Sequence, residues 1–327
     1  MMRPLRTLAA LTLLALAAAL VLYLKHNPET AILDDAARRS APGKFVQLAD
    51  GVTHYDVTGP DAGPPVVLVH GFSVPSYIWD STVVALSRAG YRVIRYDVYG
   101  RGWSDRPDVA YDGALFDRQL DGLLDSLHVT EPVHLMGLSF GGFVTGHFVP
   151  GHRARVRTLT LVDPVASSTP VPSFMGWPVV GDWIWQVTRV PGMADNQASD
   201  FLHPEHWPDW ADRYRPQMQY KGFGRALLRS GMTSGRTNYD SLYAAVGRSG
   251  VPVLLIWGRQ DQTVPIEKAD VLKRAIPSLE FLAVDSAGHL PHMEQPLLVH
   301  TRMRAFLGAH DLPSASPVAF DSAAVRR

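Results

Sequence analysis

Gly137-Leu138-Ser139-Phe140-Gly141 is the stretch from which the rest of the chain can be read. The apolar run Val133 to Leu138 leads into it, and Gly141-Gly142 follows with the composition of a helix start. A strand that ends in serine, with glycine two positions away on each side and a helix beyond, is the G-x-S-x-G turn. The physics is steric. The serine occupies a sharp, strained corner, so both flanking positions must lack side chains for chain segments to pass closely. Its hydroxyl then stands above a sheet beside a helix N-terminus, which favours developing negative charge.

Outward from Ser139, strands and helices alternate. Pro65 to Val69 is a continuous apolar run bounded by Pro and Gly, the mark of a strand buried on both faces. Further strands are expected at 91–98, 133–138, 158–162, 251–257 and 279–284. Two short ones, 45–48 and 53–57, flank the turn at Asp50-Gly51. Helical spacing marks 77–88, 116–127 and 296–307. This alternation predicts a mostly parallel eight-stranded α/β sheet with helices on both faces.

One segment interrupts the pattern. Residues 167–247 hold no clear buried strand but carry Trp177, Trp183, Trp185, Trp207 and Trp210, five of the eight tryptophans. The stretch is too long for a structureless loop and reads as a helical cap over the sheet's C-terminal edge. Its aromatics serve either as the cap's own core or as an apolar wall for a greasy substrate. The expected organisation is therefore core at 44–166 and 248–310, cap at 167–247, and a disordered tail at 311–327.

The N-terminus carries Arg3 and Arg6, then an uncharged apolar run from Thr7 to Leu24, closed by Lys25. Residues 1–30 read as a membrane anchor, with an exported catalytic body on the positive-inside rule. The competing reading is a signal segment cleaved near Ala17-Ala18-Ala19, which would leave a secreted or periplasmic protein. Over the whole chain of 327 residues, 31 Lys and Arg balance 31 Asp and Glu, so no electrostatic case for nucleic-acid binding exists. Cysteine is absent, which excludes disulfides, zinc–thiolate sites and a Cys nucleophile. No His/Asp cluster has metal-ligand spacing, and neither a cofactor nor a protein partner is indicated.

A serine hydroxyl needs a base, and the base needs a third group to fix its tautomer. Ala287-Gly288-His289 follows the last strand, where a loop can carry imidazole over Ser139; His292 competes for the role. Asp261, after the penultimate strand, is the candidate acid, though it could simply cap the next helix. Asp163, just past Val162, is the alternative carboxylate. Donors for an oxyanion are expected from the Phe72 amide, after His70-Gly71, and the Phe140 amide. His70 and His134 read as packed residues. Activity is expected to rise as His289 becomes neutral, near the ordinary imidazole value of about 6.5.

Together, His70-Gly71-Phe72, Asp97-x-x-Gly100-x-Gly102-x-Ser104, Gly137-x-Ser139-x-Gly141, Gly258-x-x-Asp261 and Gly288-His289 with Glu294 and Pro296 behind it resemble the α/β-hydrolase-fold serine hydrolases. Within that fold the chain is similar to capped esterases, monoacylglycerol-type lipases and carbon–carbon bond hydrolases. The resemblance spans roughly residues 44–310. It implies a Ser139–Asp261–His289 triad, a structural role for the Asp97–Ser104 segment, and a cap that sets substrate choice. Dehalogenase and epoxide-hydrolase relatives use an Asp nucleophile, which Ser139 excludes. The expected function is hydrolysis of a lipophilic carboxylic ester, with a carbon–carbon hydrolase or a catalytically silent, membrane-tethered binding protein as alternatives.

Overall fold

The computed structural model describes residues 2–169 and 171–311; the rest of the expected tail, 312–327, lies outside them. Eight strands form one sheet: β1 Lys44–Leu48, β2 Gly51–Thr58, β3 Pro65–Val69, β4 Arg92–Tyr96, β5 Val133–Leu138, β6 Val156–Val162, β7 Val253–Gly258 and β8 Glu280–Val284. Their spatial order is β1-β2-β4-β3-β5-β6-β7-β8. β1 and β2 run antiparallel as a hairpin, β2 lies antiparallel to β4, and every other pairing is parallel. The chain is an eight-stranded, mostly parallel α/β-hydrolase fold.

β3 shows why continuous apolar runs are required here. Val66 and Leu68 face one side, packing with Val83 and Leu86 of α3 (Asp80–Ser87) and with Val299, Met303 and Phe306 of α13 (Pro296–His310). Val67 and Val69 face the other, packing with Leu120 and Leu123 of α4 (Gly113–Ser126) and Phe143 of α5 (Phe140–Gly151). Each such side chain contributes roughly 1.5–3 kcal/mol on burial, so neither face tolerates a polar residue cheaply. The expected helix at 77–88 divides instead. A 3-10 turn, Ser76–Trp79, precedes α3, because the Ser76 amide donates to the buried Asp97 carboxylate and holds the entering chain off helical geometry.

Between β6 and β7 the described residues contain no strand of the sheet. They form α6 (Val180–Thr188), α7 (Met193–Asn196), α8 (Trp210–Tyr214), α9 (Phe223–Ser234) and α10 (Tyr239–Ser249), with 3-10 turns between them. Phe201, Trp210, Tyr214, Phe223 and Leu227 are buried together and continue the apolar layer on one face of the sheet. α10 packs instead on α5 and on α11 (Ala269–Ala275), so the last part of 167–247 belongs to the layers flanking the sheet. α12 (Pro291–Glu294) precedes α13, and Asp311 ends the described chain by accepting from His134 Nε2 and Tyr91 Oη, both at 2.9 Å.

The N-terminal helix α1 spans Met2–His26, and its stretch Arg6–His26 is long and apolar enough to cross a membrane. The segment between α1 and β1 is not a free polar linker. Glu29 accepts from the Gly222 and Gly224 amides, Ala31 bridges to Tyr220, and the short α2 (Asp35–Arg38) leads into β1.

Candidate active site

Ser139 stands between β5 and α5 with φ of 52° and ψ of −115°, a strained corner for a residue bearing a side chain. Its amide donates to the Val162 carbonyl, and its carbonyl accepts from Gly142 and Val165. The flanking glycines are required by close approach. A Cβ on Gly137 would lie 2.6 Å from the Gly141 carbonyl oxygen, and one on Gly141 would lie 2.4 Å from that of Val69. Gly142 meets the same limit against Pro164.

Beyond β8, the loop bearing His289 is buried, and His289 Nδ1–H donates to Asp261 Oδ2 at 2.7 Å. The other oxygen, Asp261 Oδ1, accepts from the Thr263 and Val264 amides at 2.8 and 2.9 Å. Asp261 therefore does not cap the next helix, whose first turn is preceded by Pro265; it holds the turn at Thr263 and Val264 with one oxygen and the imidazole with the other. That hydrogen bond leaves Nε2 of His289 as the free ring nitrogen. Burial pushes this imidazole down, but the charge and hydrogen bond of Asp261, with Asp200 and Glu294 nearby, outweigh it and leave the pKa raised above the ordinary value.

The other histidines are occupied elsewhere. His292 Nε2–H donates to the Ile78 carbonyl at 3.0 Å, its ring packs on Trp79, and burial pulls its pKa down to about 3. His70 accepts from the Val98 amide at Nε2 and donates from Nδ1 to the Gly71 carbonyl, and is held neutral by burial, with a pKa of about 4. His134 is packed against Thr158 and Asp311. Asp97 accepts from His54, Ser76 and Trp103, a structural pattern.

Asp163 stands beside this pair. One of its carboxylate oxygens, one of Asp261 and a ring nitrogen of His289 lie within 4.8 Å of one another, all buried. Burial, and after it the charge of Asp261, push the Asp163 carboxyl well above its ordinary value. The same three groups are the one cluster among the described residues with metal-ligand chemistry. Their donor atoms are largely committed, however. Both Asp261 oxygens accept hydrogen bonds, Asp163 Oδ1 accepts from Gly258, and of the four carboxylate oxygens only Asp163 Oδ2 is without a partner. A divalent cation would need several free carboxylate oxygens, and this cluster has one.

Two cavities meet at Ser139. Among the described residues the larger, about 380 Å³, is lined by Phe72, Ser139, Phe140, Val165, Val171, Trp185, Leu228, Met232 and Val264, with Ser167, Thr169, Ser234, Thr263 and Pro265 the other side chains. None of these lining residues is charged. The smaller, about 190 Å³, combines Ser73, Ser139, Asn196, Gln197, Asp200 and His289 with the apolar side chains of Phe72, Val74, Ile78, Leu138, Met193 and Leu290. The Ser139 hydroxyl has no hydrogen-bond partner among the described residues, His289 included. Such bonds are commonly loose before substrate binds. The Phe72 and Phe140 amides, beside the same cavity, have no acceptor among the described residues either; Phe140 is the first residue of α5, where a helix leaves its amides unpaired.

Two contributors, Arg101 and Asp200, were not legible in the sequence, and a third, Glu294, was legible only through the family resemblance. Arg101 is wholly buried: its Nε–H donates to the Phe72 carbonyl at 2.7 Å, and its guanidinium lies over the Phe72, Phe116 and Phe140 rings. Asp200, from the cap, accepts the His289 amide at its carbonyl and the Thr263 hydroxyl at its carboxylate. Glu294 accepts from Leu202 and Gly288, fastening the cap to the histidine loop. Glu294 was visible only through family resemblance, while nothing in the local sequence marks Arg101 or Asp200.

A profile of the alpha/beta hydrolase family matches residues 66–301. A 2-hydroxy-6-oxononadienedioate/2-hydroxy-6-oxononatrienedioate hydrolase from Paraburkholderia phymatum is 28% identical over 82% of this chain and 96% of its own. A monoacylglycerol lipase from Homo sapiens is 24% identical over 77% of this chain and 78% of its own. A thermophilic esterase from Thermogutta terrifontis superposes with a TM-score of 0.69, at 25% identity, covering 82% of this chain and all of the esterase.

Proposed function

Because the chain belongs to the alpha/beta hydrolase family, we propose that it is a serine hydrolase of neutral, lipophilic carboxylic esters, such as monoacylglycerols or medium-chain acyl esters. One observation carries this: a serine on a strained turn shares a cavity with an imidazole whose far nitrogen is bound to a buried carboxylate.

In this reading His289 Nε2 takes the Ser139 proton as the hydroxyl oxygen attacks the ester carbonyl. The Phe72 and Phe140 amides hold the oxyanion, each worth about 2.7–4 kcal/mol of barrier. Collapse expels the alcohol, which receives its proton from His289. Water, deprotonated by the same nitrogen, then frees the acid from Ser139.

The two cavities supply the polarity of the substrate. The leaving alcohol must sit beside His289, and His289 lines the smaller cavity with Ser73, Asn196, Gln197 and Asp200. Those four polar side chains can meet the hydroxyls of a small alcohol such as glycerol, on walls otherwise formed by apolar residues including Val74, Ile78 and Leu290. The acyl chain then occupies the larger cavity, whose apolar walls match it. Carbon–carbon hydrolysis of a dianionic ring-cleavage product is the second reading, favoured by the Paraburkholderia relative. Against it, no cationic side chain among the described residues lines the larger cavity to receive a carboxylate.

The proposal includes a membrane anchor within 1–30 with an exported body, core layers at 44–166 and 248–310, and a cap within 167–247 that walls the acyl site. The test is labelling by a fluorophosphonate, abolished in Ser139→Ala, followed by p-nitrophenyl esters of rising chain length. Folded protein that is not labelled would support the silent binding protein, and turnover of acetate alone would end the lipophilic reading.

A further inference from the structure

The outer side of the cap is strongly apolar where it should be wet. Phe174, Trp177, Val179 and Val180 are 41%, 61%, 77% and 44% exposed within seven residues. Exposed large apolar residues clustered this closely mark an interaction surface.

The position of the cluster says what covers it. It leads into α6, and α6 packs against α1. Trp183 Nε1–H donates to the Ala19 carbonyl at 3.0 Å, and Ala19, Tyr23 and His26 are the partly covered positions of α1, spaced i, i+4, i+7. Gln186 donates to Asn27 at 2.6 Å, just past the end of α1. Ala19 lies seven residues before His26, about 10 Å along a helix axis at 1.5 Å per residue. If Arg6–His26 crosses a bilayer, its hydrocarbon-spanning length is used in full. The Ala19 carbonyl is then well below the surface, and a tryptophan bonded to it cannot stay in bulk water. The indole N–H is already satisfied by that carbonyl, so the ring can leave water without an orphaned donor. The charges of Asp182 and Arg189 limit the depth to the headgroup boundary, where a helix with one apolar side lies flat.

We propose that the cap segment Phe174–Val180 and α6 are seated in the phospholipid leaflet beside α1, and that the larger cavity at Ser139 is filled sideways from that leaflet. The layer between is thin. Trp185 of α6 and Val171 line the cavity from this side, and a Cβ on Gly176 would lie 2.7 Å from the Met232 side chain, another lining residue. The seating rests on the exposed cluster, the α1–α6 contact and the membrane-anchor reading of α1; the route for substrate rests also on the ester reading above.

The chain has no cysteine, so a single introduced thiol reports its own position. Full-length Val179→Cys and, on α13, Leu297→Cys would each carry an environment-sensitive fluorophore in phosphatidylcholine vesicles. Leu297 is 81% exposed and serves as the aqueous control. The label at 179 is expected to be quenched by doxyl-bearing lipid and spared by aqueous iodide, with the reverse at 297. Iodide quenching at 179 equal to that at 297 overturns the seating, whatever the enzyme hydrolyses. For the route, Trp177→Asp is expected to slow cleavage of a vesicle-borne long-chain monoacyl ester by about tenfold, the loss of one seated apolar side chain. Cleavage of a water-soluble acetate ester and fluorophosphonate labelling should be unchanged. Equal rates of the variant and the parent on the vesicle-borne ester overturn the route and leave the hydrolase reading standing.

Discussion

Asp163 and Asp261 bring carboxyl oxygens within 4.8 Å of each other in a setting closed to solvent, with His289 completing the group. Two such acids cannot both ionise cheaply, and the hydrogen bonds decide between them. Asp261 accepts from two amides and the imidazole, whereas Asp163 accepts from one amide, and burial raises its pKa toward the uncharged form. A neutral carboxylic acid is closely imitated by a carboxamide. Asp163→Asn is therefore expected to keep kcat/KM on a p-nitrophenyl ester within a few-fold, while Asp261→Asn lowers it by roughly 10⁴. The opposite ranking would make Asp163 the orienting acid.

The pH dependence stems from the same contacts. Burial alone would lower the His289 pKa; Asp261 more than reverses this. The free enzyme gains its base as pH rises through that raised value, so the acidic limb of kcat/KM should lie above 6.5 rather than at the ordinary imidazole value. Asp261→Asn removes the leading upward influences, and the limb of its residual activity should move to lower pH. A profile measured between about pH 5 and 9 checks both statements, and a limb unmoved by the substitution would detach it from His289.

Arg101 yields a third test. Burial draws its pKa down to about 10, which leaves it cationic, and it has no carboxylate partner among the described residues. Its contacts are the Phe72 and Tyr99 carbonyls, the Ser230 hydroxyl and three ring faces. By holding the Phe72 carbonyl it fixes the loop whose amide is to meet the oxyanion. Arg101→Met should lower kcat by about 10–100-fold, short of the roughly 10²–10³ for losing a donor outright, with KM little changed. Rates referred to active sites titrated with fluorophosphonate separate this from misfolding: an unchanged rate per titrated site would leave Arg101 a purely structural residue.

Strand positions and the Ser139 turn were legible because both depend on local chemistry. Pro65–Val69 is apolar at every position since both faces are covered, and Gly137 and Gly141 are fixed by backbone atoms at contact distance. His289 and Asp261, which the structure joins by a hydrogen bond, could be picked from many candidates because each follows a strand end. What sequence reading missed depends on distant residues meeting. A charged Arg101 in a loop looks like surface until three phenylalanines from separate segments close over it. Asp200 meets the histidine loop only when the segment between β6 and β7 folds back onto it, and Glu29, inside the segment read as an anchor, gains its partners only when Gly222 and Gly224 arrive.

The assignment of the acyl chain to the larger cavity can be tested by filling it. Leu228 of α9 is buried and lines that cavity but not the smaller one. Leu228→Trp adds volume where the chain would lie and leaves Ser139, His289 and the alcohol side untouched. Each methylene lost or gained in an apolar pocket changes specificity by about 10–200-fold at most. The p-nitrophenyl esters of long acids should therefore lose kcat/KM by about that factor, while the acetate ester stays within a few-fold of the parent. The leaving group is the same throughout, so a selective loss with chain length locates the chain. A uniform loss across the series, or none, would place the acyl group on the other side of Ser139.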